Sequence, residues 1–179
     1  DPRSGMAAVV YEDALYVIGG ETPTGVSGEV LRLDGTGPTW TKVANKPHPA
    51  QDVGGVLLGE KIYVPGGSGP DGKPLATLEV YDPRQNTWEE RAPLPEPLAA
   101  YAIAAFEGRL YLFGGWDGQQ VVSSVWEYDP TTDIWTRRTP MPTARAWAGA
   151  AVIQGKVYVV GGSDGKTPLA VNEVYYPQR

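Results

Sequence analysis

The chain has 179 residues, 41% hydrophobic and 20% charged, which is enough for one domain with a core. Its formal charge of −6 disfavours nucleic acid and anionic membrane surfaces as partners, and no apolar run approaches the ~20 residues of a spanning helix. It contains no cysteine, which excludes disulfides, thiolate catalysis and Cys-ligated metals and leaves the compartment open. The 23 glycines and 17 prolines fall between apolar runs at regular places, as turns do.

The first apolar run is MAAVV (6–10), followed by the polar turn YEDA and a second run that carries Tyr16 and ends in Gly19 and Gly20. A third run, EVLRLD (29–34), follows a loop, and a fourth begins at Trp40. The order then repeats. First runs recur as VGGVLL (53–58), YAIAAF (101–106) and AGAAVI (148–153). Second runs carry Tyr63, Tyr111 and Tyr158 and end in glycine pairs whose second members are Gly67, Gly115 and Gly162, at steps of 47, 48 and 47 from Gly20. Third runs recur as TLEVYDP (77–83), SVWEYDP (124–130) and VNEVYYP (171–177), and fourth runs begin at Trp88 and Trp135. Short β-branched and aromatic runs bounded by Gly, Pro, Asp and Asn predict four strands in each ~47-residue unit. Residues 99–106, five of eight being alanine, favour helix by propensity. The register makes them an inner strand, and the register is followed here.

Double glycine, Tyr-Asp-Pro and Trp in this order resemble the kelch repeat over essentially the whole chain. YDP is intact at 81–83 and 128–130, and altered to LDG at 33–35 and YYP at 175–177. The resemblance implies an all-β, kelch-type β-propeller with blades at about 3–47, 48–97, 98–144 and 145–179. A fourth repeat Trp falls due near position 182, so the last blade is expected to lack its fourth strand. The resemblance also implies five to seven blades in a closed ring. Three arrangements therefore compete: a segment of a longer propeller, a four-bladed ring, or self-association that completes a ring, with a dimer favoured. Repeats 2 and 4 share GGSGPDGKPLA and GGSDGKTPLA, which points to an older two-repeat unit.

No catalytic residue, cofactor or metal site is expected. His48 in KPHPA has no second histidine to work with, and GGSDGKT (161–167) lacks the first glycine of a phosphate loop, where Val160 stands. The Asp-Gly pairs at 71–72, 117–118 and 164–165 read as turns. Strand alternation places the loop after each second strand and the loop before each first strand on one face. That face gathers the candidate ligand-binding residues Trp116, Asp117, Arg145, Trp147, Arg3 and Tyr101. Arg3 and Arg145 are equivalent, each 16 residues before a glycine pair. Trp and Arg are the residues in which binding energy concentrates. The expected function is a non-catalytic recognition module presenting loops to a protein, peptide or glycan. The alternatives are a small carbohydrate-active enzyme or lectin-like domain with an axial pocket, and an architectural segment of a longer propeller.

Overall fold

The computed structural model describes residues 2–177. Its strands in chain order are β1 (Ala7–Tyr11), β2 (Ala14–Ile18), β3 (Glu21–Thr22), β4 (Gly25–Val26), β5 (Val30–Asp34) and β6 (Trp40–Val43). These are followed by β7 (Val56–Leu58), β8 (Lys61–Pro65), β9 (Leu78–Asp82) and β10 (Thr87–Arg91). The rest are β11 (Ala102–Phe106), β12 (Arg109–Trp116), β13 (Val121–Asp129), β14 (Ile134–Arg138), β15 (Gly149–Ile153), β16 (Lys156–Val160) and β17 (Asn172–Tyr175). No helix occurs among the described residues. The strands form up-and-down antiparallel sheets β1-β2-β5-β6, β7-β8-β9-β10, β11-β12-β13-β14 and β15-β16-β17, four blades in a propeller arrangement. A small hairpin, β3-β4, decorates the loop after the first glycine pair. The inner strands β1, β7, β11 and β15 contact one another in that order.

The alanine-rich segment is a strand from Ala102 onward. Ahead of it Ala100 takes φ 55°, which interrupts the extended backbone, and Ala99 is held only by a bridge to Trp116. Ala102 and Ala104 are buried against the next blade, where small side chains let inner strands approach.

The glycine pair is a socket for the neighbouring blade. Gly20, Gly67 and Gly115 donate their N–H groups to the carbonyls of Ala50, Leu98 and Arg145, each in the following blade, at 2.8, 2.9 and 2.8 Å. The first glycine of each pair has positive φ, and a Cβ on Gly19 would lie 2.6 Å from the Ala50 oxygen. No other residue combines that backbone with that approach.

The core lies between blades in three clusters. At each junction the tyrosine before the glycine pair meets the third-strand tyrosine of the next blade. The ring centroids are 5.9 Å apart for Tyr16–Tyr81, 6.1 Å for Tyr63–Tyr128 and 5.8 Å for Tyr111–Tyr175. Each such ring brings ~150–250 Å² of burial. The motif tryptophans then clamp backward onto the preceding blade. Trp88 Nε1–H donates to Ala44 O and Trp135 Nε1–H to Ala92 O, both at 2.9 Å. Two residues before each Trp, Asn86 Oδ1 accepts from Ala44 N–H and Tyr81 O–H, and Asp133 Oδ1 from Ala92 N–H and Tyr128 O–H. Asn86 and Asp133 take φ 53° and 57°, a left-handed turn that Asn and Asp tolerate.

Candidate functional site

Around the mouth of the inner strands, four equivalent residues, Gly5, Asp52, Ala100 and Trp147, all adopt left-handed backbone with φ of 62°, 50°, 55° and 55°. Val53 N–H donates to Gly5 O at 3.1 Å, Ala100 N–H to Asp52 O at 2.8 Å and Trp147 N–H to Ala100 O at 2.7 Å. These bonds tie blade to blade in a rim. Left-handed backbone is costly for a residue as large as Trp. Trp147 adopts it with 56% of its surface exposed, and its indole N–H reaches Asp52 Oδ1 at 3.4 Å.

Trp116, half-buried at the end of β12, exchanges two backbone hydrogen bonds with Ala99, at 2.8 and 3.0 Å, one residue from the rim. Asp117 follows, its Oδ1 accepting the Gln119 and Gln120 N–H groups at 2.8 Å each. Asp71 and Asp164 accept from Lys73 and from Lys166 and Thr167 in the same way, so all three Asp-Gly pairs form turns. Trp147, Trp116, Asp117 and Asp52 therefore share the loop face.

The other candidates turn inward. Arg145 is fully buried, donating to Gly161 O at 3.3 Å and Val171 O at 3.1 Å, with its guanidinium 2.8 Å from Glu173 Oε1. Arg3 repeats the arrangement with Gly19 O, Glu29 O and the Glu29 carboxylate. Both guanidinium groups tie together the two ends of the loop after the second strand and are turned into the blade, Arg145 fully buried and the Arg3 side chain 5% exposed. Tyr101 is buried, its hydroxyl donating to Pro65 O and accepting Gly54 N–H, and burial pushes its phenol well above the ordinary value.

Sequence reading missed one charged cluster. Lys46 and Glu79 form a fully buried ion pair, and Glu79 also accepts the His48 N–H at 3.0 Å. Desolvation pulls Lys46 below the ordinary lysine value, with Glu79 opposing. These partners are 33 residues apart, and no spacing rule links them.

The chain matches the KLHDC2/KLHL20/DRC7 Kelch-repeats domain over residues 5–176. The chain belongs to the kelch-repeat family. Among kelch relatives and other curated proteins, beta-scruin of Limulus polyphemus is 30% identical over 64% of this chain and 13% of its own length. Spermatocyte protein spe-26 of Caenorhabditis elegans is 31% identical over 70% of this chain and 23% of its own. Kelch-like protein 35 of Mus musculus is 35% identical over 63% and 19%. The chain thus spans less than a quarter of each of these three relatives. The solved structure of YjhT superposes with a TM-score of 0.79 at 17% identity, covering 92% of this chain and 59% of that one. That likeness shows the propeller fold.

Proposed function

We propose that the chain is a non-catalytic recognition module that offers the loop face around Trp147 to a protein partner. The observation that carries this reading is the exposed Trp147 in left-handed backbone. A large aromatic is held in a costly conformation and turned toward solvent, beside the Asp52 carboxylate. Observed strain of this kind points to function. The four rim positions carry one ionisable side chain, Asp52, where an acid–base enzyme at the axis needs a convergent pair.

Panning a displayed library of peptides and small domains against the chain and against Trp147→Gly tests the reading. Selected clones should bind the variant at least about tenfold more weakly. The variant's stability should stay within about 1 kcal/mol of the parent, because glycine relieves the left-handed backbone. Clones that bind both alike would remove Trp147 from the site. Selective retention of oligosaccharides on the same face would favour the lectin-like alternative.

A second observation favours self-association. Val10 (61%) and Trp40 (42%) on blade 1 are exposed, as are Ile153 and Val160 (both 53%) on blade 4. These are the faces that, at internal junctions, bury against a neighbour. We propose that blade 4 of one copy docks on blade 1 of another, and that the repeat in both directions closes a dimer.

A further inference from the structure

Two positions on the third strand, four and two residues before the tyrosine of the YDP motif, lie on one face of each blade. They hold Glu29 and Leu31 in blade 1, Thr77 and Glu79 in blade 2, Ser124 and Trp126 in blade 3, and Val171 and Glu173 in blade 4. In blades 1, 2 and 4 one of the two is a carboxylate bound to a cation. Glu29 binds Arg3 and Lys42, Glu79 binds Lys46, and Glu173 binds Arg145. In blade 2 the Thr77 hydroxyl also donates to Glu79 Oε2, at 3.3 Å.

Blade 3 keeps the partners and lacks the carboxylate. Ser124 supplies the hydroxyl in the place of Thr77. Arg137 supplies the cation in the place of Lys42, since Arg137 pairs with Trp126 as Lys42 pairs with Leu31. Ser124 and Trp126 are 5% and 7% exposed, yet Ser124 Oγ and Trp126 Nε1 have no hydrogen-bond partner among the described residues. Buried polar groups are ordinarily paired, and leaving one unpaired is costly. The Arg137 guanidinium lies over the Trp126 ring, 5.9 Å from its centroid. Stacking of that kind orients the plane and leaves the N–H edge to a carboxylate.

Ser124 and Arg137 line a pocket of about 540 Å³, with Pro97 and Val121 as apolar wall and the Glu96 carboxylate among its polar groups. Asp117 also lines it, but its Oδ1 already accepts the two N–H groups of its own turn. Glu96 stands two residues before Leu98, as His48 does before Ala50. His48 lies 3.8 Å from Glu90, the blade 2 equivalent of Arg137. Blade 3 carries these two charges with the signs exchanged, and among the described residues neither Glu96 nor Arg137 forms an ion pair. A cation, an anion and a buried hydroxyl therefore face one pocket, each without a partner.

We propose that this pocket binds a small zwitterion of the α-amino-acid class. Its carboxylate sits on the Arg137 guanidinium and the Ser124 hydroxyl, where the other blades use a carboxylate of their own. Its ammonium sits on Glu96, and an aliphatic side chain lies against Pro97 and Val121. All of these groups belong to blade 3 and the connector that leads into it, and the site does not depend on the reading of Trp147.

The test titrates the 179-residue chain at pH 7 with three matched compounds, read by the NMR shifts of the Trp126 indole N–H and the Ser124 amide. L-valine carries both charges, isovalerate lacks the ammonium and isobutylamine lacks the carboxylate. L-valine should shift both resonances saturably, isovalerate should need several-fold more, and isobutylamine should leave them in place. Arg137→Gln should weaken L-valine about tenfold, the loss of one charge-assisted contact. Glu96→Gln should reduce L-valine to the affinity of isovalerate and leave isovalerate no weaker. The comparison of the three compounds on the parent chain stands without any variant. No saturable shift with L-valine, isovalerate binding as tightly as L-valine, or L-valine indifferent to Arg137→Gln would each overturn the proposal.

Discussion

At the scale of single residues, the repeated glycine pair is explained by a neighbour rather than by its own strand. Gly19 and Gly161 make this separable, because both have φ 67° yet face different surroundings. A Cβ on Gly19 would strike the Ala50 carbonyl, which accepts the Gly20 N–H, whereas a Cβ on Gly161 meets nothing closer than Leu169 O at 3.7 Å. Gly161→Ala should therefore cost about 1–2 kcal/mol for the left-handed backbone alone. Gly19→Ala should cost a further ~1–3 kcal/mol, since moving the carbonyl leaves a buried amide unpaired. Chemical denaturation of the two variants reads the difference, and equal losses would remove the junction from the explanation. The same scale shows why Arg3 and Arg145 were legible as equivalent and illegible as buried. Spacing from the glycine pair fixes their place in the blade, but the direction in which a long side chain folds is set by carbonyls 16 and 26 residues away.

At the scale of elements, the blade pattern was open in the sequence because each strand repeats its chemistry at every ~47-residue step, and so its geometry. The clamp between blades was also written there, as Asn or Asp two residues before Trp. It escaped notice because its partners, Ala44 and Ala92, contribute only backbone. Asn86 and Asp133 perform one task with a neutral and a charged side chain, and this gives a pH test. The Tyr128 hydroxyl first and the Ala92 amide second hold the Asp133 carboxyl below its ordinary value of 3.8. A folded pKa that is depressed contributes stability present above the unfolded value and lost as pH falls through the folded one. The chain should therefore lose stability below about pH 4 more steeply than Asp133→Asn, whose carboxamide cannot titrate. Thermal midpoints of the two between pH 7 and pH 2 measure this. Parallel curves would show that the carboxylate contributes nothing beyond its hydrogen-bond geometry.

At the scale of the whole molecule, the two outer faces of the blade array decide how the chain behaves in solution. Internal junctions bury a tyrosine pair and its apolar neighbours, while Val10, Trp40, Ile153 and Val160 on the outer faces are exposed. Apolar side chains exposed on a face that elsewhere packs against a neighbour are the basis of the proposed interface. The two faces differ, one being the side of a blade that receives and the other the side that inserts, so the proposed contact between copies is head to tail. Such a contact either closes a ring or grows a filament. Light scattering should give twice 19.2 kDa at micromolar concentration, and one chain mass at every concentration would defeat the dimer. Charge substitutions test the polarity of the joint. Val160→Lys and Val10→Glu should each leave monomers when alone, since every junction in a homodimer then buries an unpaired charge. Mixed together, they should recover a dimer. One of its junctions joins Lys to Glu and the other is unmodified, which is an outcome that a symmetric face-to-face pairing of like blades does not produce.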